Sequence, residues 1–439
     1  MDRPAYRSLA AAPDSPPEPP RYRGLGAEQL QDVLFTEVSG TDPRLVDDRG
    51  KKCKRAVDVV LCFDVTGSMD SYLHRVKKMI GTVVRQLNDV EHYSVRFGMV
   101  AYRDHPQDDY QDVFVTQTYK LTEKVKDMES YLSGVSAKGG GDGPEAVEAG
   151  LAATLDMDWR EDAVKMCFLI GDAPPHGLGE VEDAFPNGVP EADPFVVLDK
   201  MAARGITIYA VGCEDVLSTA YHHGTDFWIA AAEKTGGRAI ALRLAGMLDA
   251  VLLGGIMEEM DLQLVRPYVK TWAKEIRAQQ RNGLDLEPED FMDMVFRSLL
   301  NAVPASFRCL KTPALASKTS TLACNAKTLA EARQLLCDAK FLTELGTKRL
   351  VEAQGGVDVD NEDMATQELP LPEEACPFDG DPAPAVTAGS FEPGHREALF
   401  SCRTETMESA SVGVEEAELS RDQFARLFRQ LVNTKQIEA

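Results

Sequence analysis

In VDVVLCFDVTGSMDSY, residues 57–72, an aspartate is followed by two hydroxyl residues at alternate positions: Asp64, Thr66 and Ser68. The apolar run before them stops at that carboxylate, so the strand it predicts delivers one acid and two hydroxyls to a single point. Two other stretches carry acids in comparable settings. GGGDGPE holds Asp142 and Glu145, and in LIGDAPPH Asp172 closes an apolar run as Asp64 does. Three chemistries suit such a set: helix caps, a phosphorylated aspartyl nucleophile, or the oxygen ligands of a hard cation. Mg²⁺ takes about six oxygens in octahedral geometry and keeps several of them as water. Two hydroxyls, one or two direct carboxylates and others acting through water meet that demand. Capping accounts for Ser68 ahead of a helix and for Asp142 with Glu145 as an N-cap-to-N3 pair. It leaves Asp64 and Asp172 as unpaired charges at buried strand ends, which is costly. One cation compensates both.

The elements that must position these residues alternate along the chain. VDVVLCF (57–63) is a wholly apolar run of strand length, as in a strand covered on both faces. Met69, Tyr72, Val76, Ile80, Val83 and Leu87 then recur at helical spacing. VRFGMVAY predicts a second strand, with DVFVTQTY as its hairpin partner beyond the polar loop RDHPQDDYQ. Helices follow over 123–133 and to about 155. KMCFLIG, ITIYAVG and GRAIAL are strands, and PFVVLDKMAARG and DFWIAAAEKTGG the helices between them. Asp193 before Pro194 has the form of an N-cap with proline at the first helical position; Gly205 and Gly236 stand where helix C-termini take glycine. The fold class is therefore α/β, a doubly wound, mostly parallel sheet with helices on both faces. In such sheets ligands bind outside the carboxyl ends of the strands, which assigns function to the loops after 57–63, 95–102 and 165–170. The proline-rich residues 1–24 are expected to be disordered, with a short helical lead-in over 25–49. The α/β unit spans 50–262. A helical extension over 263–350, an acidic linker over 351–418 and an amphipathic helix over 419–439 follow. Ser420 and Gln423 form a capping box for that last helix.

The composition narrows the function. The chain has 439 residues, a formal charge of −24 and 44% hydrophobic content, enough for a large core. So negative a field disfavours nucleic acid and favours cations and basic surfaces. Nine cysteines without a regular spacing suit a reducing compartment. The first residues lack the apolar core of a secretory signal, and no stretch reaches the roughly 18–20 apolar residues of a membrane span. The expectation is a cytoplasmic protein without a membrane span. His176, His222 and His223 lack a metal-binding spacing and read as surface residues. DVDNED at 358–363 lacks the glycine and glutamate of a calcium loop, and there is no GxxxxGK[ST] phosphate loop.

The three acidic loops, in this order, resemble the von Willebrand factor A (VWA) domain and its metal-ion-dependent adhesion site. That family places Asp-x-Ser-x-Ser on the first loop, a threonine on the second and an aspartate on the third. Asp64-x-Thr66-x-Ser68 and Asp172 match, while Gly141 falls where the threonine belongs. DGPEAVEA resembles instead the Asp-Ala-Pro-Glu segment of integrin β-subunits, where the glutamate takes that ligand position. The resemblance thus implies Mg²⁺ or Mn²⁺ held by Asp64, Thr66, Ser68, Glu145 and Asp172, with Asp142 auxiliary. Only Asp70 follows the first loop, so the second metal site of integrin β-subunits is not carried over. AYRDHP, GGGDGPE and GDAPPH together are similar to the version found beside atypical alpha-type protein kinases, although no kinase half is evident. Asp104 and His105, after the second strand, are candidates for a rim that meets a partner; the alternative is a plain polar hairpin.

The implied function is a divalent-cation-dependent interaction module whose metal accepts an Asp or Glu side chain from a protein partner. Two rivals stand beside it. DVTGS also resembles the phosphorylation loop of P-type pumps and dehalogenase-like phosphatases, which would make Asp64 a nucleophile. Against that reading, Val65 replaces its lysine and no second aspartate follows Asp172 at four residues. The other rival is a metal-independent scaffold that binds through its C-terminal helices, with Phe424, Leu427, Phe428 and Leu431 docked in a partner's groove.

Overall fold

In the computed structural model the described residues are 54–88, 93–106, 114–181, 183–281, 286–302, 307–339 and 412–438. The expected disordered N-terminus over 1–24, the lead-in over 25–49 and nearly all of the expected linker over 351–418 lie outside them. The elements run β1 (Arg55–Asp64), a 3₁₀ turn (Gly67–Met69), α1 (Asp70–Asn88), β2 (Tyr93–Tyr102), β3 (Thr116–Thr122), α2 (Val125–Ser133), α3 (Val147–Leu155) and β4 (Val164–Gly171). They continue with α4 (Pro194–Ala203), β5 (Ile206–Cys213), α5 (Val216–Thr219), α6 (Gly224–Thr235), β6 (Arg238–Leu242), a 3₁₀ turn (Ala245–Met247), α7 (Leu248–Arg281), α8 (Pro288–Ala302), β7 (Phe307–Lys311) and α9 (Ser320–Asn325). A helix over 329–339, α10, precedes β8 (Gly413–Ala417) and α11 (Arg421–Asn433).

The main sheet has the order β3-β2-β1-β4-β5-β6. Every pair is parallel except β2 with β3. β1 therefore lies between β2 and β4, where the winding direction reverses, and its carboxyl end opens into the crevice that such a switch point creates. The apolar run of β1 is used on both faces. Val57, Val59, Leu61 and Phe63 pack with α1 and α7, while Val60 and Cys62 pack with residues of α3, α4 and α6. Phe63 pairs with Ile170, so Asp64 and Asp172 leave adjacent strands at nearly the same level.

The helix ends follow the local chemistry. The Asp193 carboxylate accepts from the Phe195 and Val196 amides ahead of α4. Gly236 closes α6 at φ 74°, a left-handed conformation open to glycine without penalty. The Ser420–Gln423 capping box of α11 is complete.

The C-terminal part differs from the expectation in two ways. α7 passes through residue 262 without a break and runs to Arg281. A two-stranded antiparallel sheet, β7 with β8, joins residues 307–311 to 413–417, so a strand replaces linker at 413–417 and another interrupts the helical extension. Short runs such as FRCLK and GVEEA carry too few residues for periodicity to reveal a strand whose partner lies a hundred residues away.

α11 is folded onto its own domain. Phe424, Leu427 and Leu431 are fully buried, and its polar face reaches two glutamates buried on α7. Gln423 Nε2 donates to Glu258 at 2.9 Å and Gln430 Nε2 to Glu259 at 3.0 Å. The Arg426 guanidinium lies 3.5 Å from Glu258, and Arg238 donates to it from β6 at 3.2 Å. The apolar positions proposed for a partner's groove are thus occupied within the chain.

A buried charge stripped of its partner typically costs about 3–5 kcal/mol, whereas an exposed ion pair contributes about 0–1 kcal/mol. Arg426→Ala should therefore lower unfolding stability by about 3–5 kcal/mol in urea titrations. Arg429→Ala, one helical turn away in a half-exposed pair with Glu233, should change it by less than about 1 kcal/mol. Equal effects would mean that the Glu258–Glu259 pair is not what holds α11.

Candidate metal centre

Asp64 ends β1 with 0% of its surface exposed, and Thr66 is equally enclosed. One oxygen, Asp64 Oδ1, accepts from the Thr66 amide at 2.8 Å and from the Thr66 hydroxyl at 2.7 Å. This local turn folds the two hydroxyls back toward the strand end, with Thr66 Oγ1 3.4 Å from Ser68 Oγ. Ser68 in turn is hydrogen-bonded to the Asp172 carboxylate. The Thr66 hydroxyl does not cap the 3₁₀ turn that follows it. α3 begins after Ala146, again without a side-chain cap, so the Asp142–Glu145 capping box is absent and Glu145 is free for another task.

Glu145 is held by its backbone. Its amide donates to the Pro174 carbonyl at 3.0 Å, and the next amide, of Ala146, donates to Arg103 at 2.9 Å. The loop before it is laced to the first loop by Gly67 N–H to Gly139 O at 3.2 Å and Lys138 N–H to Val65 O at 2.9 Å. Gly140, at φ +93°, lies so close that a Cβ there would stand 3.0 Å from Glu145 Oε1 and 3.7 Å from Thr66 Cβ. Glycine at that point lets the glutamate and the threonine converge.

The electrostatics of the convergence are unbalanced. Burial, and next the Asp172 charge, push the Asp64 carboxyl up to about 7. Burial again, then Asp64, Asp104, Asp172 and Asp142, push Glu145 well above the carboxylate range. Asp172 is raised by burial, and the Ser68 hydroxyl partly offsets this. Two buried oxygens, Asp64 Oδ2 and Glu145 Oε2, have no hydrogen-bond partner. The nearby cation Arg103 donates to the Ser136 carbonyl at 2.8 Å and lies over the Phe114 ring. Orphaned carboxylate oxygens beside two hydroxyls and a third acid form an all-oxygen donor set that fits a hard divalent cation.

Behind this set lies a second group that the sequence reading mislocated. Asp104 is 3% exposed, and the His105 ring, largely enclosed, pairs with Glu148 at 2.5 Å. Asp104 is therefore enclosed rather than open at a rim, and the His105 ring is engaged by Glu148. His176, expected at the surface, is 1% exposed. Its Nε2 lies 2.8 Å from Asp104 Oδ1 and its Nδ1 2.8 Å from Asp183 Oδ1. Burial alone would lower its basicity, but the two carboxylates outweigh that and raise it to about 10. His223 is buried as well, its amide donating to Glu180 at 2.7 Å, while that of His222 donates to the same carboxylate at 2.8 Å. His176 and Asp183 were missed because their partners sit on other loops. The one sequence signal was local: His176 follows Asp172 by four residues across two prolines, which fix the turn.

Ligand atoms of Asp104, Asp142 and His176 lie within 4.8 Å of one another, so this cluster too could in principle chelate a cation. Its geometry favours a proton role. Asp104 faces Nε2 while Asp142, 4.0 Å away, and Asp183 face Nδ1. A ring bonded to carboxylates at both nitrogens is an imidazolium.

The von Willebrand factor type A domain model matches residues 58–224. An ariadne-like RING finger protein of Acanthamoeba polyphaga mimivirus is 26% identical over 193 residues, 42% of this chain and 18% of that protein. The alpha-protein kinase vwkA of Dictyostelium discoideum is 29% identical over 144 residues, 32% of this chain and 22% of the kinase. The chain thus aligns with less than a quarter of either relative. A solved von Willebrand factor type A structure from Catenulispora acidiphila, 14% identical, superposes with TM-score 0.33 over 48% of this chain and 44% of its own. Over residues 58–224 the chain is thus similar to the von Willebrand factor type A domain, and part of it is similar to a segment of an alpha-protein kinase.

Without metal, the raised carboxyls leave a pH signature. The native state retains protons that the unfolded chain releases, so stability falls as pH rises. For Asp64 this contribution is whole below the unfolded value of 3.8 and is lost as pH rises toward about 7. In chelator, wild type and Asp64→Asn should be similarly stable near the low end of that window. Wild type should become progressively the less stable of the two toward its upper end, and Mg²⁺ should reverse the order. A difference between the two that does not change with pH would show that the acids are not crowded.

Proposed function

We propose that this VWA-type domain is a divalent-cation-dependent protein-interaction module. Asp64, Thr66, Ser68, Glu145 and Asp172 hold Mg²⁺ or Mn²⁺, with Asp142 in an auxiliary place behind them. The observation that carries the reading is the pair of orphaned, buried oxygens, Asp64 Oδ2 and Glu145 Oε2, beside two hydroxyls and Asp172. When bound, the cation would supply a Lewis-acidic centre for a partner's Asp or Glu carboxylate. The chain's own residues orient it: Asp64 is fixed by the Thr66 amide and hydroxyl, Asp172 by Ser68, and Glu145 by the bond of its amide to Pro174. Of the first loop's donor side chains, Ser68 is the exposed one, so a partner would approach from its side.

In this reading the module occupies about 50–262, with the rest of α7 and the C-terminal elements packed onto it. The described cysteines are all free thiols, which supports a reducing, cytoplasmic setting. No helix among the described residues is long and apolar enough to cross a membrane.

Calorimetric titration of Mg²⁺ and Mn²⁺ into the full chain tests the reading. One-site binding is expected for wild type and no measurable binding for Asp64→Ala, with both proteins folded by circular dichroism. Equal binding by the two would remove the site from these loops.

A further inference from the structure

The metal loops come from three separate parts of the chain, and the hydrogen bonds beneath them close into a ring. The Gly141 amide, on the Glu145 loop, donates to Asp104 Oδ2 at 3.1 Å. Asp104 Oδ1 lies 2.8 Å from His176 Nε2, and His176 Nδ1 lies 2.8 Å from Asp183 Oδ1. Asp183 also accepts from the Gly177 amide at 2.7 Å and the Phe185 amide at 2.8 Å, which folds the loop after Asp172 around its carboxylate. The Ala184 amide then donates to Asp142 Oδ2 at 2.6 Å. Asp142 adjoins Gly141, and the ring is complete.

We infer that His176 is a positioning residue for the metal centre: its imidazole cross-links the Asp104 and Asp183 loops and thereby sets the spacing between Glu145 and Asp172. The inference rests on the metal-site reading above. Asp104 and Asp183 accept as carboxylates, and His176, between them, is the side chain of the ring that reaches both. The imidazole is rigid and planar, so its two bonds fix a distance as well as a contact. The Phe185 ring packs edge-on against it, 4.9 Å between centroids, and removes its remaining freedom. Phe185 also packs edge-on against the His105 ring, at 5.6 Å.

This arrangement predicts an effect on which ion is preferred. Mg²⁺ requires near-ideal octahedral geometry with short bonds, whereas Ca²⁺ accepts longer, irregular coordination. Loops held at one spacing favour Mg²⁺, and loops released from the ring lose that preference. Loss of a residue that orients ligands typically costs about 10–100-fold in metal affinity. General destabilisation of the fold would weaken both ions alike.

The test is calorimetric titration of Mg²⁺ and, separately, Ca²⁺ into full-chain wild type, His176→Gln, Asp183→Asn and Asp64→Ala. His223→Gln serves as the control, since His223 is buried nearby but outside the ring. His176→Gln should lose about 10–100-fold in Mg²⁺ affinity and clearly less in Ca²⁺ affinity, and His223→Gln should leave both unchanged. Asp183→Asn keeps the imidazole but weakens its anchor, so it should shift the ratio the same way and carries the test alone if His176→Gln does not fold. Wild-type Mg²⁺ affinity in the folded ring variant, or equal losses for the two ions, would overturn the role of His176 and leave the metal site standing. Failure of wild type to bind, or wild-type binding by Asp64→Ala, would overturn the metal-site reading and the positioning role with it.

Discussion

The upper edge of this domain is organised by a single constraint: several carboxylates must share a dry space at the point where the sheet reverses its winding. Parallel strands with right-handed crossovers bring their carboxyl ends to one edge, and here β1 and β4 each deliver an aspartate there. Like charges within a few ångströms in a poorly solvated site disfavour one another's ionisation. The fold must offset that cost with donors, with protons or with a counter-ion. The Thr66 amide and hydroxyl satisfy one oxygen of Asp64 and Ser68 serves Asp172, yet Asp64 Oδ2 and Glu145 Oε2 remain unpaired.

The same chain deals with buried acids elsewhere in a contrasting way. Glu258 and Glu259 on α7 are also fully enclosed, but Arg238, Arg426, Gln423, Gln430 and the Tyr209 hydroxyl surround them. Asp58, at the opposite end of β1 from Asp64, is held by Arg96 and Arg160 and lies below the usual carboxylate range. Asp104 and Asp183 have His176 between them. Against these three internally balanced groups, the set at Asp64, Glu145 and Asp172 stands out. Guanidinium and imidazolium groups are close by and are committed to other partners. An imbalance that nearby cations do not relieve is what a site for an external cation requires.

Much of this was legible from residue order, and the limits have physical reasons. β1 could be read because seven consecutive apolar residues have few alternatives to a strand buried on both faces. Asp64, Thr66, Ser68 and Asp172 could be read because each is tied to a strand end, so local sequence fixes their position. Gly236 and the Ser420–Gln423 box could be read because a helix terminus is a local problem. His176 could not be read correctly: a lone histidine after two prolines has the composition of a surface turn, and its burial depends on Asp104, 72 residues earlier. Asp104 was placed at the rim because hairpin loops are usually solvated, whereas here its buried carboxylate accepts from the Gly141 amide. β7 and β8 were invisible for a related reason, since each is a strand only because the other exists.

Burial bears on the phosphotransfer rival. An aspartyl nucleophile must reach its electrophile. Asp64 is fully enclosed, and one of its oxygens is fixed by two bonds from Thr66. The histidines nearest the loops are engaged, His105 with Glu148 and His176 with two aspartates. What remains exposed is Ser68, at the outer end of the donor set. A substrate would have to reach Asp64 past the residues that enclose it. The enclosure that makes the carboxylates costly is the same feature that restricts access to them.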